Sequence, residues 1–281
     1  MGLQVHSQPG GFGAAETGVD IANPLNTRTT TRLRNIWLDH QVLSFPGQQM
    51  DHPALERFAR AFGDFGVDPY VAPIAGHDHI LEVRREPGEK VSPFGAAWHS
   101  DWSFQDAPPS ATILHAKVVP PVGGDTWYAD GYAAFEALDR DSQSELEALT
   151  AIHSAVKPYS HGGFLASGGN QRSMTILPSD AALETREHPV IRTHPETGRK
   201  TLWVNQVYTV GIKGLDKEAS KSLLQPLFKH AVKECFIYKH CWAADMLTMW
   251  DNRSVQHCAR GGYDGHRRVM HRVTVAGETP Y

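Results

Sequence analysis

Short β-forming runs, each bounded by proline, glycine or asparagine, are the feature that most constrains the fold of this 281-residue chain. Such runs are too short for helices and are typical of strands in sheets whose chain turns back repeatedly. The clearest are Ala111 to Val119, Lys200 to Val204, Met246 to Trp250 and Arg272 to Ala276. They predict a mainly β fold, a sandwich or barrel, with a few helices packed outside it.

Three stretches carry the spacing of amphipathic helices. The first runs from Asp51 to Gly63, where Asp51 is a suitable cap and apolar residues recur every three to four positions. The second extends from about Gly131 to Leu149. The third begins near Asp216, and Pro226 is expected to kink or split it because proline lacks a backbone N–H.

Two Gly-rich stretches, from His79 to Ala97 and from Tyr159 to Ser173, are predicted to be irregular loops, and the second is a candidate lid. Repeats and a convincing interdomain linker are missing from the sequence. We therefore expect residues 1–281 to form a single domain.

The composition excludes several classes of function. A net charge of −4, with 41% hydrophobic and 21% charged residues, argues against a nucleic-acid or membrane-surface binder. Apolar runs stay shorter than a bilayer span, and Met1 to Gly13 lack the hydrophobic core of a signal peptide. Three cysteines are too few and too irregular for a disulfide framework, so the expected location is the cytoplasm. Assembly into a homo-oligomer is left open.

Histidine is abundant, which weakens any single motif. With 16 histidines in the chain, a His-x-Asp triplet is expected by chance alone, and His77-Asp78-His79 is interpreted as such a coincidence. His99 and Asp101 differ because they lie in Trp98-His-Ser-Asp-Trp-Ser-Phe104, where alternation in an extended segment places both side chains on one side. A distant histidine, with His257 as the candidate, would complete a facial 2-His-1-carboxylate triad of the kind that binds Fe(II) in oxygenases.

Four motifs in order carry a family resemblance. They are Trp98-His-Ser-Asp101, Gly123-Gly-Asp-Thr126, Trp250-Asp-Asn-Arg-Ser-Val-Gln-His257 and Arg267-Arg-Val-Met-His-Arg272. From about Val19 onward the chain resembles the TauD/TfdA family of Fe(II)/2-oxoglutarate-dependent dioxygenases. The resemblance implies a double-stranded β-helix, or jelly-roll, core with flanking helices.

The same resemblance implies roles for individual residues. His99, Asp101 and His257 match the iron ligands, Arg268 matches the arginine that binds the far carboxylate of 2-oxoglutarate, and Thr126 matches the hydroxyl beside it. For Arg268 the alternative is a surface charge in a basic cluster. Alternation along the last strand predicts instead that Arg268 and Arg272 face one cavity. Cys258, the neighbour of His257, should point away from the metal.

Arg272 has two interpretations of equal weight. In taurine-type members the matching arginine lies near the substrate, so Arg272 would hold an anionic group; otherwise it forms a structural salt bridge. At the positions of the taurine-binding His and Asn, a local alignment places Asp68 and Gly95, which lack the needed donors. Taurine is therefore not the expected substrate.

Aromatic residues around the presumed mouth of the site predict an apolar pocket. The candidate substrate contacts are Tyr70, Trp102, Phe104, Phe164 and Tyr208. Each alone is as compatible with a core position. With Arg272 they indicate a small, anionic substrate with an apolar body.

The activity implied by the resemblance is oxidation, most simply hydroxylation, of a substrate C–H bond, with O₂ consumed and succinate and CO₂ formed. Desaturation, cyclisation or carbon–heteroatom cleavage, as in sulfonate or sulfate-ester members, are alternatives from the same chemistry. Asp101 argues against a halogenase, in which this carboxylate is replaced. Proteins of another class, a non-catalytic jelly roll or a zinc hydrolase, would have no use for the Thr126 and Arg268 pair.

Overall fold

The computed structural model describes residues 3–166 and 172–281. Within these ranges the α-helices are α1 (Thr27–His40), α2 (His52–Arg60), α3 (Gly131–Glu136), α4 (Arg140–Glu147), α5 (Val156–Tyr159) and α6 (Lys217–Ala231). Short 3₁₀ helices cover Asp180–Leu183 and Glu234–Phe236.

Strands outnumber helices, as the sequence predicts. They are β1 (Gln4–Ser7), β2 (Ala14–Thr17), β3 (Val42–Phe45), β4 (Pro73–Ile74), β5 (His77–Arg85), β6 (Ala111–Val118), β7 (Thr126–Asp130), β8 (Thr150–Ser154), β9 (Thr185–Pro189), β10 (Ile191–Thr193), β11 (Lys200–Leu202), β12 (Thr209–Ile212), β13 (Ile237–His240), β14 (Leu247–Asp251), β15 (Val255–Ala259) and β16 (Arg268–Val275).

The strands form one large sheet, with the order β1-β2-β3-β14-β6-β16-β5-β4, and three small ones. The small sheets are β13-β7-β15, β12-β8-β9 and β10-β11, and every pairing except β2 with β3 is antiparallel. A buried cluster joins the large sheet, through Leu114 and Met270, to the β13-β7-β15 sheet, through Tyr128 and Val255. The mainly β architecture with flanking helices is thus confirmed.

Helices α1 and α2 cover the other face of the large sheet. Leu33 and Trp37 of α1 and Leu55 and Phe58 of α2 pack with buried side chains of the sheet such as Val273. Burying such apolar side chains is the main favourable contribution to folding. The helices therefore hold the large sheet from outside, and its inner face is left to the site.

Helices occur at all three predicted positions, but two of the three stretches differ from the prediction in whether the helix is divided. Asp51 caps α2 by accepting a hydrogen bond from the Ala54 N–H at 2.8 Å. The stretch from Gly131 to Leu149 is two helices, because Asp139 starts α4 by accepting from Ser142 N–H at 2.8 Å. Helix α6 runs through Pro226 without splitting.

The predicted loop from His79 to Ala97 is wrong over its first part. His77–Arg85 is strand β5, and its second half, residues 81–85, pairs with β16, so that Arg272 lies opposite Leu81. The charged residues of β5 obscured the strand pattern in the sequence. Pairing with β16 stabilises the strand. In the predicted loop from Tyr159 to Ser173, positions 167–171 lie outside the described residues.

Candidate active site

Two histidines from distant parts of the chain meet through their main chains. His99 N–H donates to the carbonyl of His257 at 3.1 Å, and His257 N–H donates to the carbonyl of His99 at 2.8 Å. Strand β15 fixes His257, and the short extended segment around His99 is fixed by this pairing. The chain turns at Asp101, so the extended segment is shorter than the predicted one, which reached Phe104. Trp102, within the turn, adopts a φ of 48°.

The three predicted metal ligands converge. One donor atom from each of His99, Asp101 and His257 lies within 4.8 Å of the other two, and all three residues are buried. The Nε2 atoms of His99 and His257 lie 3.4 and 3.9 Å from Asp101 Oδ1. Within the described ranges this is the one group of histidine, cysteine or acidic side chains with the spacing of a metal site.

Neighbouring groups orient these ligands. His99 Nδ1 lies 2.7 Å from the carbonyl of Ala97, which leaves Nε2 for a metal. The hydroxyl of Thr112 donates to Asp101 Oδ2 at 2.6 Å, which leaves Oδ1 facing the histidines. Thr112 in turn accepts from the amide of Asn252 at 2.9 Å. The arrangement fits a facial metal site with open positions.

Electrostatics favour the protonation states that a metal needs. Burial alone would raise the pKa of Asp101, but the charge of Arg272 and a hydrogen bond with His99 hold it well below its usual range. Burial, reinforced by His99, lowers the pKa of His257 to about 3. An ionised carboxylate beside a neutral imidazole is ready to ligate without releasing protons.

A small cavity beside the triad brings together the two residues expected to bind 2-oxoglutarate. Thr126, at the start of β7, and Arg268, at the start of β16, both line it with His257. The indole N–H of Trp242 donates to Thr126 Oγ1 at 3.0 Å. Arg268 is only 5% exposed, and its Nε has no acceptor in the described part of the chain. Arg268 is thus a buried cation without a protein counter-ion there, not a surface charge.

Arg272 faces the same cavity, as alternation predicts, but its charge is matched. Its Nη1 lies 3.2 Å from Asp68 Oδ1, and its Nη2 lies 3.2 Å from Asp101 Oδ1. Burial alone would lower the pKa of Arg272, but the charges of Asp101 and Asp68 outweigh burial and raise it above its usual value. The guanidinium also covers the ring of Trp102 at 4.7 Å, and the indole N–H of Trp102 donates to Asp68. The salt-bridge alternative therefore describes Arg272 in this structure.

A larger cavity, of about 360 Å³, opens onto His99 and Asp101. Of the five predicted aromatic contacts, Trp102, Phe164 and Tyr208 line it. Tyr70 and Phe104 do not; they pack behind Tyr159, with the rings of Tyr70 and Tyr159 stacked at 4.7 Å. This corrects their expected position, and burial in the aromatic cluster is the reason.

Sequence reasoning missed Tyr159 and Arg172, which also line the larger cavity. Both belong to the stretch predicted as a candidate lid, and that prediction was the one sequence feature that pointed to their place beside the cavity. Gly95 lines both cavities, and a Cβ there would lie 3.4 Å from the ring of His99.

The remaining candidates lie outside the site. His77 contacts the ring of His52 at 4.5 Å and Glu56 at 3.5 Å, away from the triad. Cys258 is fully buried and does not join the metal group. A search of residues 3–166 and 172–281 finds no helix that is long and apolar enough to cross a membrane.

Comparison with known proteins decides the family. Residues 4–274 match the family model described as taurine catabolism dioxygenase TauD, TfdA family. The chain belongs to the TauD/TfdA family. As a TauD/TfdA protein it is a 2-oxoglutarate-dependent dioxygenase that uses O₂ and acts on a small molecule, and its triad fits a metal ion.

Relatives within the TauD/TfdA family match over nearly the whole chain. An alkylsulfatase of Acinetobacter baylyi is 32% identical over 280 residues, which cover 98% of this chain and 86% of the relative. The (S)-phenoxypropionate/alpha-ketoglutarate-dioxygenase of Sphingobium herbicidovorans is 32% identical, with 95% of this chain and 92% of the relative covered. The crystal structure of a taurine dioxygenase from Burkholderia xenovorans superposes with a TM-score of 0.82 at 26% identity, covering 99% of this chain and 90% of that one.

Proposed function

We propose that this protein binds Fe(II) through His99, Asp101 and His257 and binds 2-oxoglutarate through Arg268 and Thr126. The substrate is a small anionic molecule with an apolar body, and the reaction is hydroxylation of one of its C–H bonds. Fe(II) held by these residues would supply the activation of O₂, and oxidative decarboxylation of 2-oxoglutarate to succinate and CO₂ would supply the electrons.

The unpaired charge of Arg268 is the observation that carries this proposal. A guanidinium buried beside a metal-type triad, without a carboxylate partner in the described ranges, is costly unless an anion completes the site. A dicarboxylate that chelates the metal at one end and meets Arg268 at the other satisfies both groups. A zinc hydrolase or a non-catalytic jelly roll has no need of this second anion site.

Other residues of the site exclude water and bind the carboxylate of 2-oxoglutarate. Trp102, Tyr208 and Tyr159 form an apolar wall next to the triad, which keeps bulk water away from the reacting carbon. Thr126 has its oxygen engaged by Trp242, so its hydroxyl proton is free to be donated to a bound carboxylate.

The names of the relatives support an anionic substrate with an apolar part, since alkyl sulfates and phenoxypropionate share that design. Similarity to an alkylsulfatase also favours a second outcome, cleavage of a carbon–oxygen bond after hydroxylation at the carbon that bears the ester oxygen. Desaturation and cyclisation belong to the same chemistry. We expect poor turnover of taurine, because Asp68 and Gly95 offer no donor to a sulfonate.

Anaerobic titration of the Fe(II) protein with 2-oxoglutarate tests the proposal. A weak visible charge-transfer absorption should appear in the wild type, and Arg268→Ala should raise the 2-oxoglutarate concentration it requires by about tenfold or more. Arg267→Ala is the matched control, because Arg267 is half-exposed and pairs with Glu86. An unchanged requirement in Arg268→Ala would remove Arg268 from the site.

Metal content tests the triad separately. His99→Ala, Asp101→Ala and His257→Ala should each lose most of the bound Fe(II) and keep the fold, whereas His161→Ala, at an exposed position, should keep its iron. Elemental analysis of anaerobically loaded protein gives the answer, and iron near the wild-type level in all three variants would rule out this ligand set.

A further inference from the structure

The larger cavity contains a guanidinium that has no acidic partner in the described part of the chain. Arg172 lines this cavity together with His99 and Asp101. Its Nη1 donates to the carbonyl of Ser92 at 3.0 Å, and its Nε is buried without an acceptor. Glu89 is the acidic residue whose field reaches Arg172, but Glu89 Oε1 already accepts from the N–H groups of Glu86 and Ser173.

Arg272, the other arginine near the substrate space, is in a different state. It has two carboxylate neighbours, Asp68 and Asp101, each 3.2 Å away. A metal ion would take over the charge of Asp101, and Asp68 would still balance Arg272. Asp68 is itself held in place, because it also accepts from the Thr274 hydroxyl at 3.0 Å. The charge of Arg272 is therefore balanced by two carboxylates, although its Nη1 and Nη2 form no well-aligned hydrogen bond, whereas Arg172 has no acidic partner within residues 3–166 and 172–281.

We propose that Arg172 binds the anionic group of the substrate, a carboxylate or a sulfate ester. This inference rests on the proposed function and names the residue that selects the substrate. A half-buried guanidinium binds a planar or tetrahedral oxyanion with two parallel N–H donors, and leaving it unpaired in an apolar cavity is unfavourable.

The position of Arg172 also sets the direction of the substrate. The cavity that Arg172 shares with His99 and Asp101 is also lined by the aromatic residues Tyr159, Trp102 and Tyr208. An anion at Arg172 therefore places the apolar body against these rings and presents carbon atoms, not the charged group, to the metal. A neutral analogue leaves the guanidinium unpaired and binds weakly.

The test measures binding to anaerobic protein loaded with Fe(II) and 2-oxoglutarate, by calorimetry. The probes are 2-phenoxypropionate, its neutral amide, and hexyl sulfate. The wild type should bind at least one of the two anions more tightly than the amide, by about tenfold or more. Arg172→Gln should lose that preference, with amide affinity unchanged, and Arg172→Lys should keep part of it. The anion that loses most affinity identifies carboxylate or sulfate ester as the preferred group.

Arg84→Gln is the matched control, because Arg84 is a neighbouring half-buried arginine whose Nη2 bonds the carbonyl of Ser173, yet it pairs with Glu82 and lies outside the cavity. Its preference for anions should equal that of the wild type. Retention of the preference by Arg172→Gln, or its absence from the wild type, would overturn the proposal. The charge-transfer absorption before probes are added reports on the proposed function alone, so the two failures are distinguishable.

Discussion

At the scale of single residues, the two oxygens of Asp101 have separate tasks. Oδ2 is held by the Thr112 hydroxyl, which the amide of Asn252 holds in turn, while Oδ1 faces the two imidazoles. The indole N–H of Trp250 donates to Asn252 Oδ1 at 3.0 Å and completes this buried chain. Such partners orient metal ligands and raise affinity without touching the ion.

Thr112→Val should therefore weaken metal binding by about 10- to 100-fold, because Asp101 loses the hydrogen bond that holds its outer oxygen. Anaerobic titration with Fe(II) measures the change. Thr112→Ser keeps the hydroxyl and should stay near the wild type. Equal affinity in the valine and serine variants would show that the Thr112 hydroxyl has no such role.

At the scale of elements, the turn that leads from β14 to β15 combines a candidate ligand with its support. Arg253, in the turn, donates through Nε and Nη2 to the two oxygens of Asp251 at 2.8 and 2.7 Å. Its Nη1 donates to Glu196 at 2.8 Å, and His194 Nε2 lies 2.9 Å from Asp251 Oδ2. The motif from Trp250 to His257 thus fixes the geometry of the turn that delivers His257.

Arg253→Ala should lower the free energy of unfolding by about 3–5 kcal/mol, since it leaves the buried carboxylate of Asp251 without its arginine. Denaturant unfolding measures this. Arg60→Ala breaks an exposed pair with Asp64 and should change the free energy of unfolding by less than about 1 kcal/mol. Comparable losses in both variants would mean that the buried network adds no particular stability.

Local patterns explain which elements were predictable. Helix α2 and strands β14 and β16 carry their signal in their own residues, a cap in one case and runs of β-formers in the others. Strand β5 and helix α1 do not: β5 is rich in charge, and the Thr-rich α1 buries only Leu33 and Trp37. Their stability comes from partners distant in sequence.

The same distinction holds within the site. Motifs in four segments predicted the triad and the Arg268 side of the small cavity. The partners of Arg272 and the cavity positions of Tyr159 and Arg172 depend on how loops pack across the molecule. A local sequence pattern does not specify how distant loops pack, so these contacts could not be predicted.

At the scale of the whole molecule, several histidines are buried away from the triad. Burial, with Arg192 nearby, lowers the pKa of His188 to about 4, and burial next to Arg268 lowers the pKa of His240 to about 4. Burial also holds the pKa of His153 well below its usual range. The ordinary histidine pKa is 6.5, so the unfolded chain takes up protons at a pH where these rings stay neutral in the fold.

Stability should therefore be full above pH 6.5 and should fall as the pH drops toward 4. Between pH 7 and pH 5, each ring with a folded pKa near 4 contributes a loss of about 2 kcal/mol. Unfolding measured at both pH values in the wild type and in His188→Gln checks this. The variant should lose less stability over that interval, and an equal loss would contradict the assignment.

The paired main chains of His99 and His257 have a consequence for metal selection. Two main-chain hydrogen bonds join these distant segments, so the backbone itself helps to bring the donor atoms together. A rigid site of two imidazoles and one carboxylate follows the general order of divalent ions, in which Cu(II) and Zn(II) bind more tightly than Fe(II). We therefore expect zinc and copper to compete with iron for the triad, so zinc carried through purification must be removed before iron is added.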